Sequence, residues 1–314
     1  MIGQTTYKAA VDHQSLYDES LAQNGRTFHW ARRFLGHNHG ADAAQLYAFC
    51  RLLDDLADGD LPDGQKRLHV IASDLSDYET DPMVTLSDPD MVLFAPFMHT
   101  RHISSKALRH LIDGLLFDQG LVHLTDEAAL ITYGYQVAGT VGMMMCPVLS
   151  CHDPLATDFA IDLGIAMQLT NISRDVYEDA KMGRRYLPGD WVDNLTPDEI
   201  TKGALTKDKD VIHIVKGAIQ KTLTLADTYY HSGLSGLPFL PKRAQIAIAV
   251  AAHSYRQIGV QLQAQNLNWH EGRTVTSTIT KARVSLKALP DILPQSQPTY
   301  HDASLHDALQ GYAK

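Results

Sequence analysis

Residues 165–188, IAMQLTNISRDVYEDAKMGRRYLP, constrain the chain more than any other stretch. Read as a helix, Gln168, Asn171, Asp175 and Asp179 follow one another at steps of three, four and four residues, so they share one face. Ile165, Ala166, Leu169, Ile172 and Val176 flank that face. A polar stripe on an otherwise apolar helix does not suit a solvated surface; it suits the wall of a cavity. Gly183 can stop the helix, and Arg184, Arg185 and Tyr186 then lead into Leu187-Pro188.

The stretch LYAFCRLLDDLAD, residues 46–58, repeats the design. Tyr47, Arg51, Asp54 or Asp55, and Asp58 fall on one helical face, with Leu46, Phe49, Cys50, Leu53 and Leu56 on the others. Like charges four apart cost a helix about 0.2–0.5 kcal/mol per pair. Two such arrangements, each with an arginine near the first aspartate (Arg51, Arg174), require an offsetting cation. Magnesium fits, being a hard ion that shares its oxygen ligands between one or two carboxylates and a phosphate; manganese is the alternative.

The remaining residues set the frame. No convincing period-2 strand pattern, repeat or glycine-rich nucleotide loop occurs, so the expected fold class is all-α. A single helical domain is expected over residues 1–290, followed by a poorly packed tail, 291–314, rich in Gln, Pro, Ser, His and Asp. The net charge of −9 argues against nonspecific binding to nucleic acid. Cys50, Cys146 and Cys151 have no disulfide or zinc spacing, which points to a reducing, cytoplasmic setting. The first residues lack a basic start followed by an apolar run, and no uncharged apolar stretch reaches the 18 residues of a membrane span.

Taken in order, residues 12–34 read as a helix broken by Gly36-His37-Asn38-His39-Gly40, with His37 and His39 in a solvated loop. Asp42 is placed to cap the next helix. Residues 128–149 contain YGYQVAGTVGMMMCPVL. Gly134, Ala138, Gly139 and Gly142 there admit either a neighbouring backbone or a bulky apolar ligand, and Tyr133, Val137 and Val141 share one face. Thr196-Pro197-Asp198-Glu199 is a helix start. A long helix over 242–265 carries Tyr255, and Gly272, Arg273 and Lys281 lead into a last helix ending near Pro290.

Four stretches, YAFCRLLDDLAD, YGYQVAGTVG, QLTNISRDVYEDAKMGRRYLP and YRQIGVQLQ with Arg273 and Lys281, resemble the squalene/phytoene synthase family of head-to-head prenyl transferases over residues 27–287. Within that family the RRYLPGDWV segment looks most like the bacterial phytoene synthases. The resemblance implies a single helical bundle of the isoprenoid synthase type, built around a deep apolar cavity with two aspartate motifs facing each other across its mouth. It implies metal binding by Asp54, Asp58, Asn171, Asp175 and Asp179. It implies diphosphate or substrate contacts from Thr27, Tyr47, Arg51, Gln168, Arg174, Tyr255, Arg273 and Lys281, with Tyr133 and Val137 on the cavity wall and Arg184 and Tyr186 on a flap. Tyr133, Arg51 and Arg174 are the residues expected to take part in catalysis. The proton-accepting base is either Tyr133 or the released diphosphate.

The activity implied is magnesium-dependent condensation of two geranylgeranyl diphosphates to phytoene, through a cyclopropylcarbinyl diphosphate and without a nicotinamide cofactor. Condensation of two farnesyl diphosphates is the alternative, and a non-catalytic helical scaffold is the third reading. Lipid substrates and product imply peripheral contact with a membrane. The chain departs from the family where Thr27 replaces a usual serine and where Arg32, Arg33 and Gly36 interrupt an apolar segment that borders the hydrocarbon pocket.

Overall fold

A computed structural model describes residues 26–271, together with 288, 291, 293 and 296–312. Its helices are α1 (Arg26–Arg32), α2 (His37–Asp58), α3 (Gly64–Thr80), α4 (Pro89–Thr100), α5 (Ser105–Phe117) and α6 (Glu127–Gly134). They continue with α7 (Thr140–Val148), α8 (Pro154–Lys181), α9 (Pro197–Thr206), α10 (Lys209–Ser235) and α11 (Lys242–Ala264). A π turn, Tyr135–Gly139, joins α6 to α7, and a 3-10 helix, Ala303–Tyr312, forms the C-terminal segment. No strand occurs among the described residues, and the fold is all-α.

Short polar residues start most helices. Asp88, Ser104, Asp126, Asp153 and Asp208 each accept a backbone N–H of the first turn, and Thr196 forms a full capping box with Glu199. The break between α1 and α2 lies earlier than the sequence suggests. Gly36 adopts φ 79°, and α2 starts at His37. Asp42 therefore lies inside α2, where it pairs with Arg101 at 2.8 Å instead of capping. His39 is also helical and bonds Ser150 Oγ at 3.0 Å.

Helix α8 is the central element, touching α6, the π turn, α7, α9, α10 and α11. Its Ile165, Ala166, Leu169, Ile172 and Val176 are buried in one core with α6, α9 and α10. Burying each large aliphatic side chain contributes about 1.5–3 kcal/mol, which outweighs the few tenths lost to like charges on the same helix. Helices α2 to α5 form a second core around Leu53, Leu68, Ile71, Phe94 and Leu108. The cavity lies between the two halves and draws its walls from both.

Helices α7 and α8 pack backbone to backbone. A Cβ on Gly164 would lie 2.3 Å from the Ala138 carbonyl oxygen, and one on Gly142 would lie 2.2 Å from that of Ala160. The close-packing reading of the small-residue segment holds, and Val137, Ala138, Val141 and Gly142 also line the cavity.

The C-terminal segment differs from the expectation of a poorly packed tail. Leu309 is buried, and the Tyr229 hydroxyl donates to the Leu305 carbonyl at 2.6 Å. Thr132 Oγ1 donates to the Ala308 carbonyl at 3.1 Å, and Tyr312 packs against His110 and Tyr135. Apolar residues spaced through a polar stretch supply this docking, and overall composition hides them. The expected last helix through Arg273 and Lys281 lies outside the described residues.

Candidate active site at the mouth of an apolar cavity

The cavity has a volume of about 380 Å³, and most of its lining is apolar. A minority of polar groups joins it. Helix α2 brings Tyr47, Arg51 and Asp54 to the wall; α8 brings Gln168 and Asn171; α11 brings Tyr255; Tyr133 and Val137 come from the α6–π segment. Eight of the residues singled out from the sequence thus line one cavity. Thr27 sits half-buried on α1, next to Phe28, whose ring packs on Tyr47 at 5.9 Å and on Tyr255 at 5.3 Å.

Each acidic helix carries its own arginine. Arg51 reaches Asp54 at 2.6 Å and Asp55 at 2.5 Å, one turn along α2. Arg174 grips both oxygens of its neighbour Asp175. The two helices are bridged by the segment after α8. Gly183, at φ 77°, turns the chain out of the helix. The Arg185 N–H then donates to the Val122 carbonyl at 2.7 Å, fixing the flap against residues 122–124. That placement lets Arg184 reach Asp58 of α2 at 2.8 Å and sets Tyr186 beside Tyr133, with ring centroids 4.7 Å apart.

One acidic residue of the site went unnoticed in the sequence. Asp118, just beyond α5, lines the cavity and is buried. Tyr133 donates to one of its oxygens at 2.7 Å and Tyr186 to the other at 2.9 Å. Burial pushes its carboxyl up to about 6 against these hydrogen bonds. Asp118 has no helical partner at three or four residues, and Gly120 makes the stretch read as an ordinary turn, so local spacing holds no signal for it.

The electrostatics tie the two acidic helices together. Burial, opposed by Arg51 and reinforced by Asp58, Asp55 and Asp118, pushes Asp54 up to about 6. Burial and the neighbouring Asp175 push Asp179 up to about 8, against Arg184. Burial and Asp118 hold the Tyr133 phenol well above its ordinary range, so it keeps its proton. The site therefore presents oxygen donors in excess of nearby cations, beside an apolar chamber. The predicted Arg273 and Lys281 lie outside the described residues.

The family model for squalene/phytoene synthase matches residues 21–283. The chain belongs to this family. Relatives include the 15-cis-phytoene synthase of a Paracoccus species, 33% identical over 84% of this chain and 86% of the relative. Another is the 15-cis-phytoene synthase of Enterobacter agglomerans, 36% identical over 77% of this chain and 83% of the relative. Among solved structures, a dehydrosqualene synthase in complex with ligand superimposes with a TM-score of 0.74 at 23% identity, over 90% of this chain and 98% of the other. The likeness shows that the all-α fold is shared.

Proposed function

We propose that the protein is a magnesium-dependent prenyl transferase that joins two geranylgeranyl diphosphates head to head, giving phytoene through a cyclopropylcarbinyl diphosphate. The observation that carries this reading is that two aspartate-bearing helices, distant in sequence, both line one apolar cavity, through Asp54 on α2 and Asn171 on α8, and are bridged by the Arg184–Asp58 ion pair.

Asp54, Asp58, Asn171, Asp175 and Asp179 would hold the metal. Their donors are all oxygen, as a hard dication requires, and burial first, then neighbouring aspartates, raise Asp54 and Asp179, so a bound cation would favour their charged forms. A hard dication there would take one or two carboxylates and complete its shell with phosphate oxygens and water. When bound, the metal neutralises the diphosphate and makes it a competent leaving group.

The chain's own residues do the rest. Arg51 and Arg174 add fixed positive charge where the departing diphosphate accumulates negative charge. Thr27, Tyr47, Gln168 and Tyr255 contact the substrate headgroup, as do Arg273 and Lys281. Arg184 and Tyr186 close the flap over it. Val137 and its apolar neighbours keep water from the allylic cation. C1 of that cation adds to the C2–C3 double bond of the second molecule, and loss of a proton closes the cyclopropane. The second diphosphate then leaves, the cation rearranges to the 1–1′ linkage, and loss of another proton gives the central double bond. The neutral Tyr133 phenol, donating to Asp118, presents its ring face to the cation, while the released diphosphate takes the proton. No nicotinamide takes part.

A specific observation favours the shorter farnesyl substrate as the second reading: Arg32 puts a polar side chain on the mostly apolar cavity wall, which leaves less apolar lining for a longer hydrocarbon. No helix among the described residues is long and apolar enough to cross a membrane. Exposed Phe117, Leu121 and Met182, in the segments around the flap, suit shallow contact with a lipid surface that salt or mild detergent would release. Diphosphate release from geranylgeranyl diphosphate should stop in chelator and return with magnesium or manganese; full turnover in chelator would sink the metal assignment.

A further inference from the structure

Two histidines of the C-terminal segment converge on one aspartate of α8, apart from the diphosphate site. His301 Nε2 lies 2.7 Å from one Asp162 oxygen, and His306 Nε2 lies 2.8 Å from the other. The Asp162 side chain is fully buried and that of His301 is 3% exposed. Each of the three residues offers one ligand atom, and these atoms all lie within 4.8 Å of one another. Asp162 does not line the cavity, and nothing in the proposed reaction uses it.

An independent feature points beyond a hydrogen-bonded staple. Asp158, one turn before Asp162, faces the other nitrogen of His306, Nδ1, at 3.9 Å. An imidazole with Nε2 turned to a shared centre and Nδ1 turned to a carboxylate is oriented as metal-bound histidines are. Ser232 Oγ donates to Asp162 at 2.5 Å, fixing the carboxylate from a third side.

We propose that Asp162, His301 and His306 form a second metal site, suited to a borderline ion such as zinc and not to magnesium. Two imidazoles and one carboxylate are zinc donors, whereas magnesium prefers oxygen alone. Bonds of about 2.0–2.2 Å at tetrahedral angles set neighbouring donors roughly 3.3 Å apart, and the three ligand atoms already lie within 4.8 Å of one another. Water completes the fourth position. The ion ties the C-terminal segment to α8. It also braces the cavity from behind, because the Phe159 ring lines the cavity and meets His301 edge-on at 5.2 Å.

The full chain, stripped with chelator and dialysed, is titrated calorimetrically with zinc in excess magnesium, and separately with cobalt as an optical probe. One zinc per chain should bind with micromolar or tighter affinity, raise the melting temperature, and give visible d–d bands when cobalt replaces it. Asp175→Asn, at the diphosphate site, should retain the zinc. His306→Gln keeps a side chain able to hydrogen bond with Asp162, so it should fold while losing zinc affinity by about 100-fold or more. Absence of zinc binding by the intact chain, or unchanged affinity in a His301→Gln/His306→Gln double variant, would overturn the proposal.

Discussion

Asp118 links the candidate site at the level of single residues, since it holds two tyrosines and feels charges from both acidic helices. Asp118→Asn removes the charge, keeps the shape and disturbs the alignment of Tyr133 and Tyr186. Steady-state kinetics should show kcat lowered by about tenfold or more, equivalent to about 1.4 kcal/mol, with helical circular dichroism unchanged; an unaltered kcat would remove Asp118 from the site. Asp179 makes a pH prediction. Its folded value, about 8, lies above the ordinary carboxylate range, so the folded state holds its proton more tightly than the unfolded state does. The stability it contributes is full below the unfolded value and is lost as pH rises through about 8. In chelator, the melting temperature should fall over that range, and Asp179→Asn should flatten the slope; an identical slope in the variant would contradict the assignment. Asp179 was legible in the sequence because its partners lie one and two turns away. Asp118 was not, because its partners come from other elements.

Single elements repeat this contrast between local and distant signals. The faces of α2 and α8, the caps at Asp153 and Thr196, and the end of α2 before Gly59 follow from short-range spacing. The start of α2 differs from the sequence reading because Gly36-His37-Asn38-His39-Gly40 resembles a loop, whereas the turn occupies Arg33 to Gly36 and His37 is already helical. The π turn, which admits one extra residue into the helix, left no trace in the apolar pattern. Two element-scale predictions follow from the packing. Gly164→Ala places a Cβ against the Ala138 backbone and should cost about 1–3 kcal/mol by thermal or denaturant unfolding. Gly217→Ala, in α10, meets no atom within 4 Å and should instead gain up to about 1 kcal/mol. If Gly164→Ala proved neutral, the close contact between α8 and the π turn would not be a determinant of the fold. The two acidic helices are also expected to act together. Asp54→Asn on α2 and Asp175→Asn on α8 should each abolish diphosphate release while leaving helicity intact; a loss smaller than about tenfold would mean that the residue is not a metal ligand.

For the whole molecule, a mostly apolar cavity draws its walls from two cores and carries a set of polar groups from α2, α8 and α11. That combination suits a substrate with a charged head and a hydrocarbon tail, and family membership is consistent with it. The all-α class and the polar stripe of each acidic helix were legible because each helix announces its own face; that the two stripes meet is what the family resemblance implies. The docking of residues 296–312 was not, because it depends on surfaces of α6, α8 and α10 that exist only after folding. The most direct measurement of the central claim is product identification by chromatography and mass. The chain is incubated with magnesium and either geranylgeranyl or farnesyl diphosphate, with and without NADPH. The account predicts a C40 hydrocarbon with a central double bond from geranylgeranyl diphosphate, in equal yield with and without NADPH. A product formed from farnesyl diphosphate alone, or one two hydrogens heavier that requires NADPH, would contradict it.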